Sequence, residues 1–268
     1  MDLVWYVIIL LILLGFTAGL ISSLAGIGGG AFYVTIMVFI LNIPLKVAID
    51  TSTFVILFAS CAGFITHYRA GRIDLKQVLI FSIFTIIGAL TCMLVLQFIE
   101  IHDFFLTIIF GITILIAGIN MLYKAYKTRK TSMTSDQKDQ ENEFNVELHD
   151  YKANFKKSIP LFFIAGFASY LLGIGGGMIN TPVLNIVLHY PIHNATATST
   201  GIVFITAIFN TALKSIYGQI DYVLGAILAI GTVAGYALGA RLSRRIPKFH
   251  LQVFVGLIII ILGINMFF

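Results

Sequence analysis

The feature that most constrains this chain is that it is written twice. The stretch "LAGIGGGAFYV" at residues 24–34 returns as "LLGIGGGMINT" at 171–181, an offset of 147 that later positions keep without a gap. Pro44 meets Pro191 and Ala48 meets Ala195. Thr51, Ser52 and Thr53 meet Thr198, Ser199 and Thr200, and Gly71, Ile73 and Asp74 meet Gly218, Ile220 and Asp221. Gly88 meets Gly235, and after a two-residue shift "GITILIAGINM" from Gly111 pairs with "GLIIIILGINM" from Gly256. Glycine, proline and hydroxyl residues substitute poorly for one another, so matches at these positions require two copies of one folding unit.

Each copy is built of apolar runs. Of the 268 residues 59% are hydrophobic and 11% charged, which excludes an ordinary soluble domain. At about 20 residues per crossing, spans are expected near 4–24, 30–43, 47–67, 77–97 and 104–123 in the first copy. The second copy places them near 158–173, 176–189, 194–214, 221–241 and 249–267. The amino-terminal run lacks a basic leader and is longer than a signal peptide's apolar core, so it is read as a retained span. The spans after the glycine clusters are short. The expected fold is thus an all-α polytopic membrane protein of two repeats with about five membrane segments each, with broken or short helices at the two GIGGG motifs.

Between the copies, the stretch from Lys124 to Lys157 holds 8 of the 17 Lys and Arg and 6 of the 12 Asp and Glu. It is too charged to enter lipid. The chain accordingly divides into a membrane repeat at 1–124, a charged linker at 125–157 and a second membrane repeat at 158–268.

Positive charge in short loops sets orientation. "HYRAGRIDLK" at 67–76 is basic, whereas its counterpart "KSIYGQID" at 214–221 has one lysine. "IEIHD" at 99–103 is acidic, whereas its counterpart "RLSRRIPK" at 241–248 has four basic residues. Matching loops prefer opposite faces, so the second repeat is expected to be inverted, with the linker cytoplasmic and both termini outside. Inverted repeats with interrupted helices are characteristic of secondary transporters whose site lies near the bilayer midplane.

In hydrocarbon an interrupted backbone persists only where it is buried in protein or lines a cavity. Helices starting at such breaks aim unpaired N–H groups, worth about half a positive charge per helix end, at whatever fills the centre. Gly26, Gly28, Gly29 and Gly30, with Gly173, Gly175, Gly176 and Gly177, are therefore candidate anion-binding positions. The competing reading is close helix packing, which Gly231, Gly235 and Gly239 fit by their spacing of four. A nucleotide loop at Gly26, Gly28 and Ala31 is excluded, because no strand precedes it and Met178 breaks the pattern in the second copy.

The hydroxyls of Thr51, Ser52, Thr53, Thr198, Ser199 and Thr200 follow a proline turn and are candidates to replace part of an anion's hydration. Back-bonding to their own helix carbonyls is the alternative. Asn180 follows the second break, and Ser199, Thr206, Asn210 and Lys214 fall on one helical face, which adds Asn180 and Asn210 to the candidate site. His67 and Lys214 correspond under the repeat, at opposite membrane faces, and are read as interfacial side chains reaching for water, with attraction of anions or a response to protonation as the alternative. Asp74 and Asp221 read as turn or cap residues, and Asp50, whose counterpart is Ala197, argues against a symmetric ion site.

Cys61 and Cys92 read as packing residues. No catalytic residue, metal ligand set or organic cofactor is expected: the chain lacks GxSxG, HExxH and GxGD motifs. The basic residues flank apolar spans instead of forming an aromatic-rich polar face, so nucleic acid is excluded.

The duplicated GIGGG, proline turn and Thr-Ser motif, set around a charged central loop, resembles the TauE/SafE family of sulfite exporters over residues 3–267 apart from the linker. The resemblance implies a permease of the cell membrane for sulfite or a related sulfur oxyanion, sulfonate or carboxylate, working as an exporter with H+ or Na+ coupling. It points to Gly26–Gly30, Gly173–Gly177 and the Thr-Ser pairs at 51–52 and 198–199. Alternating access is the expected mechanism, with a passive anion channel or an importer of carboxylate or organosulfur anions as the alternatives. The expected partners are the lipid bilayer and a small-molecule anion, and a homo-oligomer stays open.

Overall fold

A computed structural model describes residues 5–25, 29–99, 101–131, 154–242 and 248–266. Every regular element among them is helical. In the first half these are α1 (Trp5–Ala25), α2 (Gly30–Phe39), α3 (Leu45–Arg69), α4 (Leu75–Phe98) and α5 (Asp103–Thr131). The second half has α6 (Phe155–Leu172), α7 (Gly177–Pro182) running on as a π-helical turn (Val183–Val187), α8 (Ile192–Tyr217), α9 (Tyr222–Leu242) and α10 (Lys248–Asn265). These bounds reproduce the expected spans to within a few residues, except that α5 continues past 123 to Thr131. The linker residues 132–153 lie outside the described residues.

Seven of these helices are long and apolar enough to cross a bilayer. Their surfaces are arranged for lipid. Between its end turns, α4 exposes Leu79, Ile83, Ile87 and Leu94, while the face turned inward carries Gln77, Ser82 and Thr85. A soluble helix has the opposite pattern.

By contrast, α2 has 10 residues and reaches about 15 Å, half of a hydrocarbon core about 30 Å thick. Its counterpart α7 is shorter still. Pro182 explains the difference: it lacks the N–H needed to continue the ladder, and the chain leaves α7 there as a π turn. The first half has Thr35 at that place and stays α-helical.

Helix pairing is the same when the two halves are exchanged. The pair α1·α9 maps onto α6·α4, α9·α3 maps onto α4·α8, and α3·α8 and α5·α10 map onto themselves. Corresponding helices run antiparallel. Near one end of the central crossing Asp50 of α3 meets Lys214 of α8, and near the other Gly63 meets Thr200 and Phe64 stacks on Phe204. In α5·α10, Leu122 lies against Gly256 and Leu115 against Gly263.

Small residues bring the outer pairs together. A Cβ on Gly231 or Gly235 would strike the carbonyl of Ile12 or Phe16 in α1, and one on Gly88 would strike that of Phe163 in α6. The packing reading of Gly231, Gly235 and Gly239 therefore holds. Asp74 and Asp221 are helix caps, as expected: their carboxylates accept the N–H of Gln77 at 3.1 Å and of Leu224 at 3.0 Å.

Candidate functional site

The two glycine breaks meet inside the bundle. Gly29, with φ 77°, and Gly176, with φ 71°, stand just before α2 and α7 in the left-handed region that only glycine enters without strain. Gly173, with φ 63°, ends α6, and Gly175, with φ 78°, turns the chain between the two helices. Gly30 lies so close to the carbonyl of Gly173 and to Ile174 that a Cβ has no room. Gly177 begins α7 and is buried. Gly26 and Gly28 lie outside the described residues.

The hydroxyl triplets fall in the second turn of α3 and the corresponding turn of α8, where all six residues are buried. Ser52 reaches across to the second break, its Oγ 2.8 Å from the Gly173 carbonyl and 2.8 Å from that of Ile49. Thr51 Oγ1 accepts the N–H of Asp221 at 3.0 Å, and Thr198 Oγ1 accepts that of Asp74 at 3.2 Å. The first threonine of each triplet thus ties its helix to the start of a helix in the other half. Thr53 and Thr200 bond back to the carbonyls of Ile49 and Thr196 in their own helices.

The second half holds a polar cluster beside its break. Asn210 Nδ2 donates to Ser169 Oγ at 3.2 Å, and Thr206 and Thr85 share a hydroxyl contact of 2.7 Å. The Oδ1 atoms of Asn180 and Asn210 are buried without a hydrogen-bond partner among the described residues. In the first half Ser22 Oγ and Tyr33 OH lie against Gly29. Ser22 and Ser169, Tyr33 and Asn180, and Thr232 and Thr85 are again 147 apart. Sequence reading passed over Ser22, Ser169 and Thr85 because a single serine or threonine in a span carries no signal, although the offset marks them.

The largest correction concerns Lys214. It was expected at the interface, yet it is 2% exposed, and its Nζ forms an ion pair with Asp50 Oδ1 at 3.0 Å. Nζ also donates to Thr53 Oγ1 at 3.1 Å and stands 5.1 Å from the centre of the Tyr170 ring. Asp50 Oδ2 accepts the N–H of Gln219 at 2.9 Å. Asp50 has no repeat counterpart because its partner is Lys214, itself without a lysine counterpart. The signal was available: Asp50 and Lys214 are an acid and a base that each fall inside an expected span, one near the start of its span and the other at the end.

This pair forms the floor of a cavity of about 550 Å³, a size suited to a small ligand. Lys46, Gln97 and His102 stand at its mouth and are exposed, and Tyr170 lines its wall. From the floor a run of polar contacts leads inward, from Lys214 to Thr53 and the Ile49 carbonyl, then through Ser52 to Gly173 and so to Gly30. Among the described residues no group of His, Cys, Asp and Glu is arranged to hold a metal ion.

A family model described as Sulfite exporter TauE/SafE matches residues 11–266. The chain is 26% identical over 267 residues to "Probable membrane transporter protein YunE" of Bacillus subtilis, covering 97% of each chain. It is 31% identical to "Probable membrane transporter protein MJ0441" of Methanocaldococcus jannaschii, covering 96% of this chain and 94% of that one. A third relative, "Probable membrane transporter protein YdhB" of Bacillus subtilis, is 26% identical. No solved structure matches the chain.

Proposed function

The chain belongs to the sulfite exporter TauE/SafE family of membrane transporters, and on that premise we propose that it carries a small sulfur oxyanion or sulfonate out of the cell by alternating access. Lys214 is the observation that carries this reading: it is a buried cation at the floor of a ligand-sized cavity, four residues of helix from Asn210 and in contact with Thr53. A lysine is hard to keep in a low-dielectric interior, and one held there beside a cavity is a natural receptor for an anion. Support also comes from the crossing breaks, where the N-terminus of α2 faces inward beside the hydroxyls of Ser22 and Tyr33.

Orientation follows from the loops. The ends of α3 and α9 lie together, since Gly63 packs on Tyr236 as Phe54 does on Tyr222. The carboxyl-terminal ends of α3 and α9, each followed in sequence by basic residues, therefore lie at one end of the bundle, which we assign to the cytoplasm with the linker. The cavity opens at the other end, beside the acidic stretch 99–103, and is the outward-facing vestibule of a carrier in the cell membrane. In this arrangement the two halves are inverted repeats that rock about the α3·α8 crossing.

The test is a thermal-shift screen of sulfite, thiosulfate, alkylsulfonates and carboxylates, followed by flux into liposomes. Sulfite or another sulfur anion should stabilise the protein by mass action, and Lys214→Met should abolish both the shift and the flux. Stabilisation by carboxylates alone would reassign the substrate. Single-channel currents with no uphill flux under an imposed proton or sodium gradient would make the protein a channel.

A further inference from the structure

We propose that Asp50 is the proton-exchanging counter-ion of Lys214, so that each anion arriving at Lys214 is accompanied by one proton taken up on the Asp50 carboxylate. The proposal rests on the reading of Lys214 as the anion's receptor.

The argument is one of charge and of place. The cavity floor holds one cation and one carboxylate, and the two cancel. Asp50 Oδ1 lies 3.0 Å from Nζ, so an anion oxygen arriving at Nζ comes up against that carboxylate. An anion added to the intact pair leaves a net negative charge in a water-poor interior, which is strongly unfavourable. Among the described residues that line the cavity, no second cation lies beside Nζ to offset it. The groups facing Lys214 are Thr53 from α3, Tyr170 from α6 and, packed with Tyr170, Cys92 from α4. Tyr217 of α8, which is exposed, also lines the cavity, while Lys46, His102 and Asp103 stand at the exposed mouth.

A proton on Asp50 Oδ1 removes the carboxylate charge and restores neutrality once the anion is bound. The proton comes from cavity water and leaves with the anion, so no other co-reactant is needed. Asp50 is built for this exchange. Its second oxygen stays anchored on the Gln219 N–H at 2.9 Å, so the side chain keeps its seat in both protonation states. The corresponding position at the other end of the crossing is Ala197, which has no carboxylate. Coupling therefore occurs once per cycle.

The experiment uses the full chain in nanodiscs and liposomes, with methanesulfonate and ethanesulfonate as probes because both stay monovalent anions between about pH 5.5 and pH 8, leaving any proton uptake to the protein. Wild-type affinity should fall about tenfold per pH unit on the alkaline side. Asp50→Asn should bind equally well across the range, and in liposomes it should exchange labelled anion without concentrating it when an inward proton gradient is imposed. Asp50→Glu, which keeps a carboxyl group, should retain the slope and covers the case in which Asp50→Asn does not fold. A wild-type affinity that is flat with pH, or an Asp50→Asn variant with the wild-type slope, overturns the proposal while leaving the anion site intact. If neither probe binds at any pH and Lys214→Met changes nothing, the anion site is wrong and the proton coupling falls with it.

Discussion

The two ends of the α3·α8 crossing are built from the same repeated sequence and have become different places. At one end Asp50 and Lys214 form a buried ion pair under an open cavity. At the other end the same repeat positions hold Ala197, which is buried, and His67, which is partly exposed. What the ends share is structural: Thr51 and Thr198 each hold the N–H of a capping aspartate in the opposite half, and Asp74 and Asp221 cap α4 and α9. What they do not share is charge. Duplication supplied the frame, and divergence at two positions supplied a polarity along the membrane normal.

Breaking the ion pair on one side should give the largest effect. Lys214→Met leaves the Asp50 carboxylate buried without its cation and should lower stability by about 3–5 kcal/mol, with anion flux abolished. Removing both charges in Asp50→Asn/Lys214→Met should recover most of the melting temperature, because a buried pair contributes little net stability over neutral residues of similar size. Flux should stay absent. Thermal unfolding of the three proteins side by side checks this, and an additive double variant would show that the charges do not interact.

A smaller but still large effect is expected at the contact between the breaks. Gly30→Ala puts a methyl group against the Gly173 carbonyl and Ile174. The backbones have to part, at about 1–3 kcal/mol, and transport should fall more than stability because the polar run from Lys214 ends there. Flux per folded molecule is the measurement. Unchanged flux would place the anion's path elsewhere.

How much of this was legible beforehand differs between frame and site. The helices were readable because apolar length and glycine breaks report directly on what a bilayer permits, and the repeat offset doubled every signal. Within the site, the offset worked as a filter for what both halves share. It found the triplets, the caps and the breaks. For the same reason it discounted Asp50, whose lack of a counterpart was the mark of the feature that sets the halves apart. Lys214 was misread because a lysine near a helix end ordinarily reaches water. Its burial depends on Asp50, Thr53 and Tyr170, which come from α3 and α6, and no local pattern contains them.

The shared frame should respond evenly. Thr51→Val and Thr198→Val each remove one hydrogen bond across the halves, and each should cost about 0.5–1.5 kcal/mol. Chemical denaturation of the two variants should give similar losses, with flux per folded molecule within a factor of two of wild type. A selective loss of anion binding in one variant alone would move that threonine from the frame into the site.

The smallest effect is expected at His67, and it is the most direct check on the comparison. His67 is the repeat counterpart of Lys214, so a carrier that used its two ends alike would need it when the site opens at the opposite end. The structure gives it a different setting. Its helix end carries Arg69, the facing position is Ala197 instead of an acid, and its side chain is partly exposed, so it neither neutralises a buried charge nor is held by one. Replacing a half-buried side chain that carries no buried ion pair removes some packing, at about 0.5–1 kcal/mol, well below the loss at Lys214. His67→Ala should therefore keep a near-wild-type melting temperature and its pH slope of anion affinity, while Lys214→Met loses both. If His67→Ala abolishes flux, the end that holds His67 carries a cationic site of its own, and the polarity assigned to the crossing gives way to two sites used in turn.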